Sequence, residues 1–186
     1  MRCLALAAEL KKHNMYICFI CRNLPKSLYN LVEKNKHDLI VLKHVEDIKQ
    51  QDELKHSFFL GTSQATDAID TIEAISDKSW DWLIIDHYAI DNRFEMTLKK
   101  YVERIMVIDD IADRQHECDV LLDQNLYADM DERYVEKVPA SCAILLGPEY
   151  ALLRNEFACL HNKIKPRTGV IENILVFFGG VDPENL

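Results

Sequence analysis

The chain has 186 residues, 48% hydrophobic and 28% charged, with five glycines and five prolines. That composition fits a globular protein with room for one domain and a real core, and it excludes a low-complexity or disordered chain. The formal net charge of −9 disfavours nonspecific nucleic-acid binding, which needs Lys and Arg to neutralise phosphates. No apolar run approaches the roughly 18–20 residues that cross a bilayer.

A helix over about Arg2–Lys12 comes first, with Leu4, Ala7 and Leu10 at helical spacing. Its apolar start looks like a signal-peptide core, but the amphipathic pattern runs on to His13 and reads as a domain helix. Met15–Ile20 is a continuous apolar run suited to a strand covered on both faces. Leu24, Leu28, Leu31 and Val32 give a second helix, and Leu39–Leu42 a second strand. Glu46–Lys55 is charged and fits neither template. Thr62 and Ser63 form an N-cap, with Ala65, Ala68, Ile69, Ile72 and Ile75 on one helical face behind it. Trp82–Ile85 is a third strand. Phe94, Leu98, Tyr101 and Val102 mark a helix, and Ile105–Ile108 a fourth strand. Val120–Leu122 is a short strand, Tyr134, Val135 and Val138 suit a brief helix, and Ala143–Leu146 is another strand.

Strands alternate with helices and lack polar alternation, which predicts an α/β fold with a doubly wound parallel sheet. The domain is expected over 1–162, and the Pro- and Gly-containing polar stretch 163–170 is expected to be a linker. Residues 171–186 then open a second domain with a strand at Ile174–Phe178. Six cysteines, at positions 3, 18, 21, 118, 142 and 159, lie in largely apolar stretches and read as buried thiols of a reducing cytoplasm. Cys18 and Cys21 form a C-x-x-C, but on a strand such residues point to opposite faces.

Polar residues follow three strands directly: Asp86-His87-Tyr88, Asp109-Asp110 and Asp123-Gln124-Asn125. Ligands of open parallel sheets bind beyond the carboxyl ends of the strands, so three such clusters predict one cleft. Taken singly, each is better explained by caps and turns. Gly179-Gly180 follows the last apolar run. Two glycines let backbone approach a ligand, and a following helix start offers free N–H groups to a diphosphate.

Six segments, Met1–Ala7, Asp86–Tyr88, Val107–Arg114, Cys118–Asn125, Gly147–Phe157 and Phe178–Pro183, together resemble the PseG family. These are the UDP-2,4-diacetamido-2,4,6-trideoxy-β-L-altropyranose hydrolases and their spore-coat polysaccharide relatives. The resemblance implies the Rossmann-like N-terminal half of a GT-B fold, like that of the MurG glycosyltransferases. It implies loss of UDP to water in pseudaminic acid biosynthesis by a cytoplasmic monomer, with a UDP-sugar as partner and neither cofactor, metal, nucleic acid nor membrane. Arg2, Asp86, His87, Tyr88, Asp110 and Asn125 would bind substrate, and Gly179, Gly180 and Asp182 would bind UDP. Family members carry a first strand and a Gly-x-Gly-His-type loop, whose His is the implied general base, ahead of the segment matching Met1-Arg2. The catalytic base is therefore left unassigned, with His87 a secondary candidate. A GT-B glycosyltransferase and a non-catalytic nucleotide-sugar-binding module are the competing readings.

Overall fold

The computed structural model describes residues 1–43, 52–161, 163–164, 169, 171 and 174–176. Gly179, Gly180, Asp182, Phe177, Phe178 and most of the Glu46–Lys55 stretch lie outside them. The chain divides into two compact units, Met1–Arg154 and Asn155–Leu186. In the second, α5 (Asn155–His161) is the one regular element among the described residues. Ile174–Val176 lie in no strand there, because a strand needs a hydrogen-bonded neighbour and the described residues of that unit supply none.

The first unit opens with α1 (Arg2–Lys12) and β1 (Cys18–Cys21), then α2 (Lys26–Lys34) and β2 (Asp38–Val41). Both helices end the same way. Asn14 and Lys36 take positive φ, 60° and 56°. Around them Met15 N–H donates to Leu10 O and Asn14 N–H to Lys11 O, as His37 N–H does to Val32 O and Lys36 N–H to Glu33 O. This Schellman geometry satisfies the last carbonyls of each helix and turns the chain back toward a parallel strand. It also explains why β1 begins at Cys18 and not at Met15. Met15 and Tyr16 belong to the exit from the turn and are exposed.

β3 (Trp80–Ile85), β4 (Val102–Ile108), β5 (Val120–Asp123) and β6 (Ala143–Leu146) form a four-stranded parallel sheet in that order. β1 and β2 form a separate parallel pair. Parallel strands with intervening helices give the Rossmann-like α/β class that the sequence predicts, with the ladder in two pieces. α3 (Gln64–Ile75) and α4 (Asn92–Leu98) precede β3 and β4. The core gathers Ala68 and Ile75 of α3, Phe94 and Leu98 of α4, and Ile85, Val102, Ile105, Val107 and Leu121 of the sheet. No helix among the described residues is long and apolar enough to cross a membrane.

Three sequence expectations are corrected. Ser63 does cap α3, accepting from Thr66 N–H, but Ala65 and Ile69 face outward. The buried face is Gln64, Asp67, Ala68, Thr71 and Ile75. Polar residues can sit there because they are paired. Arg22, just past β1, bonds Asp67 at 2.8 Å and Asp70 at 2.7 Å and also donates to Lys43 O, tying the β1–β2 pair to α3. Second, α4 stops at Leu98. Tyr101 N–H turns back to Leu98 O, Tyr101 is exposed, and Val102 already starts β4. Third, Tyr134–Val138 are turns, not a helix. Tyr134 is buried for its hydroxyl partners as much as for its ring.

Candidate functional site

Arg2 stands in the first turn of α1, and its guanidinium reaches the carboxyl ends of β3 and β4. Its Nη2 donates to Asp86 Oδ1 at 2.7 Å and its Nε to both Asp86 oxygens at 3.2 and 3.1 Å. Its Nη1 donates to Asp110 Oδ2 at 3.1 Å. Tyr88 Oη donates to the other Asp110 oxygen at 2.8 Å, and Cys3 Sγ lies 3.0 Å from Asp86 Oδ2. Met1, Arg2, Asp86, His87 and Tyr88 line an open depression of about 340 Å³. A second depression, of about 440 Å³, is lined by Tyr16, Cys18, His37, Asp38 and Lys78. It lies at the amino ends of β1 and β2, away from the strand termini where parallel sheets bind ligands.

The charges in the first depression are set by these contacts. Burial is the largest influence on Asp86 and pushes its carboxyl up, but hydrogen bonds from Arg2 and Cys3 and the Arg2 charge together outweigh it and hold Asp86 below its ordinary value. Asp86 is thus a carboxylate at neutral pH, an acceptor and not a proton donor. Burial, joined by the charge of Asp86, pushes the Cys3 thiol up to about 12, so it stays a neutral donor. Burial and the bond to Asp110 likewise raise the Tyr88 hydroxyl.

His87 lines the depression, yet its ring is occupied. Nδ1 accepts from Ala89 N–H at 3.0 Å, the ring also interacts with the Phe59 backbone, and burial lowers its pKa. This imidazole is neutral at pH 7 and has its Nδ1 lone pair engaged. That makes it a poor base toward a substrate water. Asp110 meets the depression through Arg2 and Tyr88 and is not itself among the residues lining it, and neither is Asn125. Its amide reaches Tyr127 Oη at 3.4 Å, and Tyr127 in turn donates to Asp110 O at 3.0 Å. Gln124 accepts from Leu152 N–H and anchors the segment after β6.

The strand-end carboxylates Asp109 and Asp123, which the sequence places in the cleft, are instead buried behind Asp110, with partners that the sequence did not single out. Asp109 is wholly buried; it pairs with Arg114 at 2.9 Å and accepts from Ala112 N–H at 2.8 Å. The Tyr134 hydroxyl lies 3.2 Å from Asp109 Oδ2 and 3.0 Å from Asp123 Oδ2. Arg133 donates to Asp110 O at 3.0 Å, ion-pairs with Asp123 and stacks 3.6 Å over the Tyr127 ring. In the sequence, Arg133 stands in the charged stretch Asp131-Glu132-Arg133, and the flanking Tyr127 and Tyr134 are the local signal that could mark it.

Beside Tyr88, His56 approaches with ring centroids 5.8 Å apart, and it stacks on Phe59 at 6.1 Å. Phe58 and Phe59, in contact at 4.1 Å, are 63% and 54% exposed. Among the described residues no group of three or more His, Cys, Asp or Glu side chains is placed to hold a metal ion.

No family model matches the chain. It is 29% identical over 161 residues to the UDP-2,4-diacetamido-2,4,6-trideoxy-β-L-altropyranose hydrolase of Campylobacter jejuni, an alignment covering 81% of this chain and 56% of that protein. It is 23% identical over 188 aligned residues to an uncharacterized protein of Methanocaldococcus jannaschii, covering 100% of this chain and 34% of that one. The chain thus spans about half or less of the curated relatives it matches. The similarity to this hydrolase covers most of the chain, in keeping with the resemblance that the sequence motifs suggest.

Proposed function

We propose that the depression at Arg2, Asp86, Tyr88 and Asp110 holds the sugar of UDP-2,4-diacetamido-2,4,6-trideoxy-β-L-altropyranose, and that the protein releases UDP from it by hydrolysis in pseudaminic acid biosynthesis, as a cytoplasmic monomer. The observation that carries this reading is the shared grip of Arg2 on two carboxylates from neighbouring strand ends, with the Tyr88 hydroxyl on one of them.

Departure of UDP from an anomeric carbon builds positive charge on the sugar ring and negative charge on the diphosphate. Asp86, held ionised, and Asp110 supply acceptors for sugar hydroxyl and amide N–H groups and a negative field for the ring. Arg2 fixes both carboxylates so that they need not reorganise as charge develops. The exposed rings of Phe58 and Phe59, linked to Tyr88 through the His56 ring, offer an apolar surface suited to the acetamido methyls and the deoxygenated C6. The leaving UDP is proposed to meet Gly179, Gly180 and Asp182, within a second domain that opens near residue 171. His87 is proposed to line the site and Asn125 to brace it through Tyr127, neither acting as base.

The test is UDP release from this nucleotide sugar by the complete gene product, first with water alone and then with candidate sugar acceptors. Turnover in water alone supports hydrolysis. Turnover only with an acceptor replaces the proposal with a glycosyltransferase, and tight binding without turnover replaces it with a binding module.

A further inference from the structure

Cys118 and Cys142 lie outside the site described above, and nothing in the proposed reaction uses them. Cys118 is buried two residues before β5, and Cys142 is half-buried directly before β6. β5 and β6 are hydrogen-bonded parallel neighbours with Val120 opposite Ala143. Ala143 N–H also donates to Asp119 O at 2.9 Å, which carries the ladder back toward the two cysteines. At the amino ends of these strands two free thiols lie against each other, Sγ to Sγ at 3.7 Å. A disulfide needs about 2.05 Å between sulfurs, so closure asks for an approach of roughly 1.7 Å from the 3.7 Å seen here.

We propose that Cys118 and Cys142 form a dithiol oxidation site that closes to a disulfide on reaction with a small-molecule disulfide of the glutathione type. Cys142 is the attacking member. It is the more accessible of the two, and its contact with the Cys118 thiol lowers its pKa despite burial, which raises its thiolate fraction. Cys118 is pushed up, first by its bond to Cys142 and then by burial. It becomes the resolving thiol once Cys142 is derivatised.

The Cys142 thiolate attacks one reagent sulfur, a mixed disulfide forms and one reagent thiolate leaves. Cys118 then gives up its proton to solvent and attacks Cys142 Sγ, and the second reagent thiolate departs. The protein loses two electrons and two protons, and the reagent is reduced to two thiols. Cys18 and Cys21 provide a comparison within the same molecule, because their positions on β1 aim them at opposite faces.

The experiment treats the native protein with glutathione disulfide, alkylates the remaining thiols after denaturation, digests with trypsin and reads the peptides by mass spectrometry. The expected product joins Gln115–Arg133 to Val138–Arg154, with loss of both alkylatable thiols and reversal by dithiothreitol. In Cys118→Ser the expected product is a glutathione adduct that persists on Cys142. Recovery of both peptides fully alkylated, while exposed Cys159 carries the adduct, overturns the proposal. So does a cross-link confined to other cysteines. If Cys118→Ser does not fold, alkylation of the untreated native protein decides instead: modification of Cys142 before Cys118 supports the proposal, and the reverse order overturns it.

Discussion

Replacing Arg2 with alanine removes the guanidinium that stands between Asp86 and Asp110. The side chains of Arg2, Asp86 and Asp110 are 18%, 25% and 17% exposed, so the cluster is neither a surface pair nor a dry one. Exposed pairs contribute about 0–1 kcal/mol, whereas breaking a buried pair costs about 3–5 kcal/mol. The intermediate exposure places the expected loss at about 1–3 kcal/mol near neutral pH. The pH dependence is the sharper test. In the native chain Asp86 lies below its ordinary value of 3.8, so its contribution is present above that pH and is lost as pH falls through the folded value. Without Arg2 the upward push of burial dominates, and the fold then favours the protonated acid. The deficit of Arg2→Ala should therefore be largest near neutral pH and shrink below about pH 4. Urea denaturation of both proteins at about pH 7 and about pH 3, with the Asp86 carboxyl followed by NMR, measures it. An equal deficit at both pH values would refute the electrostatic account of the cluster and leave Arg2 a packing residue.

The remaining expectations separate bracing, core and site. Tyr134→Phe removes a buried hydroxyl shared by Asp109 and Asp123 and should cost about 1–3 kcal/mol in urea; Tyr88→Phe, at a part-buried hydroxyl, should cost less than that in stability yet lower turnover of the proposed substrate more, and the opposite ranking would reverse the two roles. Leu98→Ala, at 0% exposure, should cost about 2–5 kcal/mol by chemical denaturation, and a loss under about 1 kcal/mol would show that α4 is not packed as described. Phe58→Ala and Phe59→Ala, both at exposed rings, should leave stability within about 0.5 kcal/mol while raising KM for the proposed substrate; unchanged KM would remove the aromatic surface from the site.

The strand runs at Leu39–Leu42, Trp82–Ile85, Ile105–Ile108, Val120–Leu122 and Ala143–Leu146 were legible because strands covered on both faces need unbroken apolar sequence. The residues after β3 and β4 were legible because parallel strands all deliver their carboxyl ends to one edge. Burial of Asp67 and Gln64 on α3 was not legible. Hydrophobic periodicity ranks Ile69 as core and Asp67 as surface, and only the guanidinium of Arg22, 45 positions away, reverses the order. The same holds for Arg133, whose partners Asp110 O and Asp123 come from other strand ends. Pairwise compensation between distant charges leaves no local periodic mark. Local turn chemistry hid the rest, since Asn14 and Lys36 perform at positive φ what a glycine would have announced.

The adjacent pair Asp109-Asp110 shows why strand ends alone do not rank candidates. Successive side chains at a strand end point in opposite directions. Asp109 therefore turns inward to Arg114, Tyr134 and the Ala112 amide, and Asp110 turns outward to Arg2 and Tyr88. The inward carboxylate shapes the turn, with Ala112 at φ 55°, and so determines where the outward one stands. Tyr127 and Arg133 clamp the Asp110 carbonyl from the far side. Residues 127–134 thus act on the site through the backbone of Asp110 without lining the depression. A substitution there should shift the Asp110 carboxylate relative to Arg2 while leaving every side chain that lines the depression unchanged.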